Sequence, residues 1–141
     1  YPEVDVPLSM IRKFKESYSY VGESESGARV KIPVGGKPRK IEIGKQVGES
    51  CNELLQEIFE SLKKVIAMAS PQSVFSLLQN IILTGGGSRI RNVDQELQRL
   101  LSDDGYEDPE VTISSREVKP FVAIGAIKVA KAARDDQWVR L

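Results

Sequence analysis

Three consecutive glycines, Gly85 to Gly87, stand directly after a short apolar run and just before Arg89. Glycine at the end of a strand allows a flat ligand to approach the main chain, because no Cβ blocks the way. A nearby guanidinium can stack on an aromatic ring, a contact of about 0.5 to 2 kcal/mol that depends on burial. The same residues also fit a tight strand-to-helix turn with Arg89 in water. The local pattern leaves both interpretations open.

Two glycine motifs that bind phosphate are absent from this stretch. A Walker A loop requires a lysine and a hydroxyl residue after its last glycine, and a dinucleotide fingerprint requires a third glycine where Ile90 stands. The only Asp-x-Gly sequence, Asp103-Asp-Gly105, follows a helical pattern, so we interpret it as a loop. No catalytic residue is predicted.

Composition limits the remaining chemistry. The 141 residues include no histidine and one cysteine, Cys51, which excludes zinc sites built from these ligands, histidine acid-base catalysis and an internal disulfide. We interpret Cys51, which falls in an apolar stripe, as core packing. The formal net charge is zero and no apolar stretch can span a bilayer, so neither nucleic-acid binding nor membrane insertion is predicted. We expect a cytoplasmic chain, and its first residue, Tyr1 instead of methionine, suggests part of a longer protein.

The elements that position these residues follow from hydrophobic periodicity. Apolar residues at steps of three and four predict a helix over about 7–18. A polar loop over 21–27 follows. Alternating apolar residues on both sides of a four-residue turn, Gly35-Gly-Lys-Pro38, predict a β-hairpin. A long amphipathic helix is expected from Val47 to Ala69.

The second half of the chain alternates strands and helices. Ser70 and Pro71 suit the N-cap and first position of a short helix. Apolar runs over 81–84 and 111–114 predict strands, a helix is expected from about Asn92, and a last one from Pro120. This β-α-β-α order favours parallel strands with helices packed on them, hence an α/β fold.

Basic residues cluster on the predicted hairpin. No aromatic side chain is interleaved with them to stack on bases, so a nucleic-acid interface is not predicted. Charged residues of this kind often protect an edge strand from unwanted pairing. The cluster consists of Arg29, Lys31, Lys37, Arg39, Lys40 and Lys45.

Four segments carry a family resemblance. Leu83-Thr-Gly-Gly-Gly-Ser-Arg-Ile90 resembles the adenosine-binding turn of the actin, Hsp70 and sugar kinase superfamily. Phe14-Lys-Glu-Ser-Tyr-Ser-Tyr-Val21 is similar to the segment that places a Lys-Glu pair against ribose and adenine. Residues 28–47 resemble the hairpin of subdomain IIB in bacterial actins, and Val122-Ala-Ile-Gly-Ala126 resembles the helix start that closes the second domain. Within the bacterial actins, the likeness is greatest to those that form magnetosome filaments.

The resemblance implies a fold and a domain division. The fold would be α/β, the C-terminal half of an actin-like (ribonuclease H-like) domain with an inserted β-hairpin subdomain. Residues 1–141 would form part of domain II, with 21–46 similar to subdomain IIB and 1–20 plus 47–141 similar to IIA.

The resemblance also implies an ATP or ADP site. Lys15 and Glu16 would face the ribose and the adenine edge, Gly85, Gly86 and Gly87 would supply backbone contacts, and Arg89 would stack on the base. Against this, Lys15 and Glu16 also fit ordinary surface charges on a helix, and Ser88 fits a residue that holds the turn.

The implied family chemistry needs parts outside these 141 residues. Both phosphate-binding hairpins, with the acidic residues that hold Mg²⁺, lie N-terminal to the segments matched here, so the chain alone is expected not to hydrolyse ATP. With adenosine contacts alone, we expect an affinity no better than about 1 mM, roughly 4 kcal/mol of binding free energy. Head-to-tail contacts through the hairpin would build open cytoskeletal filaments, with magnetosome-associated proteins as further candidate partners.

Two other functions remain open at this point. One is an interaction module that keeps the fold without binding nucleotide. The other is a fragment of an Hsp70-like chaperone or of a sugar or acetate kinase. The preference for ATP or GTP, the filament geometry and the cargo are not predicted.

Overall fold

The computed structural model describes residues 6–23, 27–114 and 119–134, and for 119–122 it describes the main chain alone. Five α-helices and two small sheets make up this part of the chain. The elements, in chain order, are α1 (Leu8–Tyr18), β1 (Arg29–Val34), β2 (Lys37–Glu42), α2 (Gly44–Met68), α3 (Pro71–Leu78), β3 (Ile81–Leu83), a 3₁₀ turn (Gly87–Arg89), α4 (Val93–Asp103), β4 (Val111–Ile113) and α5 (Lys119–Ala132). None of the described helices is long and apolar enough to cross a membrane. The segment from 135 onward lies outside the described residues.

The larger core forms where α2 and α4 pack beside the sheet of β3 and β4. Leu97 and Leu101 on α4 are fully buried and meet Leu55 and Phe59 of α2 in one cluster. Strands β3 and β4 pair in parallel, with Ile81 opposite Val111, as the β-α-β pattern predicts. Cys51 is buried in the same cluster, which confirms its interpretation as core packing.

A smaller core joins the hairpin to α1. Val30, Ile32 and Ile41 are buried on one face of the hairpin, and Phe14 and Tyr18 of α1 pack against them. The hairpin therefore rests on the helix that carries the predicted Lys-Glu pair. The division of the chain into IIA-like and IIB-like parts stays a prediction.

The hairpin turn is tighter than the sequence suggested. Only Gly35 and Gly36 form the turn, with φ of +56° and +77°, and the strands continue through Lys37 and Pro38. A two-residue hairpin turn with positive φ at both positions follows the right-handed twist of the strands and strongly favours glycine. The four-residue turn expected over 35–38 was wrong because Pro38 was taken as a turn residue.

Two helix starts differ in detail from the predicted pattern. Helix α2 begins at Gly44, before the predicted Val47, and the Gly44 N–H donates to Oε1 of Glu42 at 3.3 Å. Helix α3 begins at Pro71 after Ser70, as predicted. The Ser70 hydroxyl, however, pairs with the hydroxyl of Ser73 at 2.8 Å and makes no side-chain cap to the backbone.

Candidate functional site

A cleft of about 470 Å³ opens between α1 and the glycine turn that follows β3. All six residues that the resemblance assigned to the ligand line this cleft, although α1 and the turn lie about 70 positions apart in the sequence. They are joined there by three residues that were not predicted. The full lining comprises Arg12, Lys15, Glu16, Ser19, Gly85, Gly86, Gly87, Arg89 and Ile90.

The glycine turn presents open backbone. Gly85 has φ of +84°, which favours glycine, whereas Gly86 has φ of −67°, which any residue can adopt. No heavy atom outside the adjoining residues lies within 4 Å of the point where a Cβ would stand on Gly85, Gly86 or Gly87. Backbone conformation therefore accounts for the glycine at 85 only, and the space over Gly86 and Gly87 is free for a ligand.

Ser88 stabilises the turn from inside. Its side chain is buried, and its hydroxyl donates to the carbonyl oxygen of Gly85 at 2.8 Å. The 3₁₀ turn adds a backbone bond from the Arg89 N–H to the carbonyl of Gly86 at 3.2 Å. This confirms the interpretation of Ser88 as a residue that holds the turn, and it fixes the position of the neighbouring Arg89.

Charge in the cleft is mostly positive. Arg12, Lys15 and Arg89 contribute three positive charges and Glu16 one negative charge, which leaves +2. None of these four side chains forms an ion pair with any residue that the structure describes, and all four residues are exposed. An excess of unpaired cations on the walls of a cleft attracts anionic ligands.

The sequence held a signal for one of the three unpredicted residues. Arg12 precedes Lys15 by three positions and Glu16 by four, the spacing that places residues on one helix face. Ser19 caps the end of α1 by donating its hydroxyl to the carbonyl of Lys15. Ser19 and Ile90 line the cleft because the segment after α1 and the segment after the glycine turn lie side by side. No local sequence pattern indicates this pairing.

The two walls of the cleft are tied together by backbone hydrogen bonds. The Val21 N–H donates to the carbonyl of Arg91 at 3.1 Å, and the Arg91 N–H donates to the carbonyl of Ser19 at 3.2 Å. These bonds form an isolated parallel bridge between Tyr20 and Arg91. The end of α1 and the residue after the glycine turn are therefore held side by side.

A second cavity, of about 590 Å³, lies between α2 and α4 beside Gly22. Its main polar groups already bind each other: Glu96 pairs with Arg99 at 2.9 Å, and Asn52 accepts from the Gly22 N–H at 3.1 Å. The hydrogen bond and charge of Glu96 raise the pKa of Arg99 above its ordinary value. None of the predicted site residues lines this cavity, so the cleft at the glycine turn is the better candidate site.

Comparison with known proteins places the chain in a defined group. The family model described as MreB/Mbl protein matches residues 12–137. The actin-like protein MamK of Paramagnetospirillum magneticum is 30% identical over 141 residues, and MamK of Magnetospirillum gryphiswaldense is 30% identical over 142. A MamK-like protein of Paramagnetospirillum magneticum is 26% identical over 141 residues. All of this chain is covered, but it spans only 38% to 41% of the length of these relatives.

Two solved structures are similar in fold. A MamK double helical filament superposes with a TM-score of 0.82 at 28% identity, over 95% of this chain and 40% of that one. A non-polymerising MamK mutant bound to AMPPNP superposes with a TM-score of 0.79 at 28% identity, over 92% of this chain and 39% of that one. The expected α/β fold, part of an actin-like domain, is therefore confirmed.

Proposed function

Because the chain belongs to the MreB/Mbl family of actin-like filament proteins, we propose that its cleft binds the adenosine part of ATP or ADP and that its hairpin contacts the next subunit of a filament. The family assignment also decides against an Hsp70-like chaperone or a sugar or acetate kinase. The interaction module without nucleotide remains the rival function.

The cleft itself carries the nucleotide part of the proposal. It contains a bare glycine backbone for a flat base, with Arg89 beside it for stacking, and Lys15 and Glu16 on the facing helix for polar contacts to ribose and adenine. The excess positive charge suits a ligand with phosphates. A similar MamK structure contains AMPPNP, which supports an adenine nucleotide as the ligand.

Hydrolysis is not proposed for the 141-residue chain. Phosphoryl transfer needs Mg²⁺ and groups that hold the transferring phosphate. Within the described residues, no cluster of acidic or other metal-binding side chains could hold a metal ion. We assign Mg²⁺ and the phosphate contacts to the N-terminal part of the relatives' fold, as the resemblance implies.

The hairpin carries the filament part of the proposal. Pro33 lies opposite Pro38. Proline has no N–H to donate, so the two cannot form a hydrogen-bonded pair, and their backbone nitrogens face outward, one at each edge of the hairpin. The prolines thus hinder strand addition at both edges. Lys31 lies directly opposite Lys40, a like-charge pair that is unfavourable unless an anionic group neutralises it.

The same chain carries a surface of opposite charge. Glu107, Asp108 and Glu110, the acidic loop, are exposed between α4 and β4. Like Lys31 and Lys40, they form no ion pair within the part of the chain that the structure describes. A hairpin that binds the acidic loop of the next copy makes a head-to-tail contact, which builds open filaments. A MamK filament among the similar structures supports this assembly, and we extend the proposal to the magnetosome filaments of the MamK group.

Nuclear magnetic resonance titration tests the nucleotide site. The isotope-labelled chain is titrated with ADP and, separately, with adenosine, while the amides of 85–89 and of Lys15 and Glu16 are followed. Shifts at both segments, with tighter binding of ADP than of adenosine, are expected. The amides of Asn52 and Gln56 in the second cavity serve as an internal control. No shift in a folded sample would mean that the glycine turn serves only the fold, and it would favour the interaction module without nucleotide.

Charge reversal tests the filament contact. One variant combines Lys31→Glu with Lys40→Glu, and a second combines Glu107→Lys with Glu110→Lys. In sedimentation at high protein concentration, each variant alone should assemble less than the unmodified chain because its two surfaces repel. An equimolar mixture should assemble again, since the reversed hairpin of the first variant meets the reversed loop of the second, and the unreversed hairpin of the second meets the unreversed loop of the first. Each of these pairs has opposite charge. Assembly of the separate variants at the unmodified level would refute this contact.

A further inference from the structure

We infer that Tyr20 is a positioning residue that couples the cleft to the base of the hairpin, an inference that rests on the function proposed above. Nucleotide in the cleft and a partner on the hairpin would then change each other's affinity, because coupling between two sites is reciprocal. Tyr20 does not line the cleft, and in the segment 14–21 that resembles the family only Lys15 and Glu16 were assigned a role.

The main chain of Tyr20 is connected to both walls of the cleft. It follows Ser19, which lines the cleft, and it forms the parallel bridge with Arg91 just beyond the glycine turn. Any change in the separation of α1 and the glycine turn must act on this bridge, since both of its hydrogen bonds flank Tyr20.

The side chain of Tyr20 contacts the base of the hairpin, where β2 leads into α2. Its hydroxyl donates to the carbonyl of Gly44 at 3.2 Å, and Gly44 is the first residue of α2 after the hairpin. The preceding Ile43 N–H donates to the carbonyl of Ala28 at 2.9 Å, which closes the two ends of the hairpin. The hydroxyl is thus anchored one residue from the point where the hairpin joins the rest of the fold.

Gly48 shows that this placement is specific. Glycine lowers the stability of a helix relative to alanine, yet Gly48 lies inside α2 and is buried. A Cβ on Gly48 would stand 2.3 Å from the Tyr20 hydroxyl oxygen and 2.6 Å from the ring carbon that bears it. The glycine therefore makes room for the phenol head of Tyr20 on the first turns of α2.

These contacts make Tyr20 a buried connection between the cleft and the start of α2. Its exposure is 4%, so its ring has little freedom to move independently of its neighbours. Packed elements respond to a ligand by shifting between discrete arrangements, and a rigid residue attached to two of them transmits such a shift. The hydroxyl is the group that attaches Tyr20 to Gly44.

The test separates coupling from folding. The labelled chain is titrated with ADP as wild type and as Tyr20→Phe, which keeps the ring and removes only the hydroxyl. In the wild type, we expect shifts at the cleft amides 85–89 and at the hairpin amides of Lys31 and Lys40. In Tyr20→Phe, the cleft shifts should persist while the hairpin shifts at saturation fall at least two-fold.

Two further variants serve as controls. Gly48→Ala pushes against the same hydroxyl from the other side and should also weaken the hairpin response by at least two-fold. Tyr18→Phe removes a hydroxyl from the neighbouring small core, where the structure gives Tyr18 no side-chain hydrogen bond to a described residue, and should behave as wild type. Circular dichroism establishes that each variant is folded.

The outcomes distinguish the two proposals. Cleft shifts with an unchanged hairpin response in Tyr20→Phe would overturn the role of Tyr20 and leave the nucleotide site standing. A wild type whose hairpin does not respond, despite cleft shifts, would also overturn it. Absence of cleft shifts in the folded wild type would overturn the nucleotide site and this inference together.

Discussion

Replacing Gly86 with alanine separates a ligand-binding turn from a purely architectural one. Gly86 has φ of −67° and ψ of −33°, which alanine adopts without strain, and its Cβ would meet no atom within 4 Å. Gly→Ala at such a position raises the free energy of unfolding by about 0.4–1 kcal/mol, because the unfolded chain loses conformational freedom. The fold should therefore tolerate the change or gain from it.

Ligand binding should respond in the opposite direction. The added methyl projects into the space that the base is proposed to occupy, and overpacking of a close contact costs about 1–3 kcal/mol. Since 1.4 kcal/mol is tenfold in affinity, ADP should bind about 5- to 150-fold more weakly to Gly86→Ala. The nuclear magnetic resonance titration measures this affinity, and urea denaturation measures stability in the same samples.

Gly85→Ala is the matched control for backbone strain. Gly85 has φ of +84°, a conformation that costs an ordinary residue roughly 1–2 kcal/mol. This variant should lose stability, whereas Gly86→Ala should not. An unchanged ADP affinity in folded Gly86→Ala would refute the placement of the base over the glycine turn, and a loss of stability in that variant would refute the description of the site as open backbone.

The other predictions concern stacking, catalysis and the core. Arg89→Ala should weaken ADP binding about 2- to 30-fold through loss of a contact worth about 0.5–2 kcal/mol, while Lys13→Ala, on α1 but outside the cleft lining, should not. A phosphate-release assay should detect no ATP hydrolysis by the 141-residue chain, and turnover above the protein-free rate would contradict the absence of phosphate-binding parts. Leu97→Ala removes a fully buried side chain and should lower the free energy of unfolding by about 2–5 kcal/mol in urea denaturation. Leu54→Ala, at a residue 37% exposed, should lower it much less.

Local chemistry made several features predictable. Proline at position 71 fixes a backbone angle that suits a helix start, so the beginning of α3 follows from two adjacent residues. The parallel pairing of β3 and β4 follows from the strand-helix-strand order, since a crossover connection places such strands side by side. The six candidate site residues came instead from the resemblance of two segments, 14–21 and 83–90, to a known superfamily, and all six line the cleft.

The sequence by itself determined the periodicity of each element, the absence of histidine and disulfide chemistry, and the glycine motif, because these depend only on residues close together in the chain. The tertiary structure decided what meets across long separations: that Arg12, Ser19 and Ile90 complete the cleft, and that Gly48 faces the hydroxyl of Tyr20. The physical reason is that a hydrophobic period specifies which face of an element is buried but not which partner buries it. The same gap applies to the start of α2 at Gly44, a residue of low helix propensity whose carbonyl accepts from the hydroxyl of Tyr20, a contact that only the folded chain supplies.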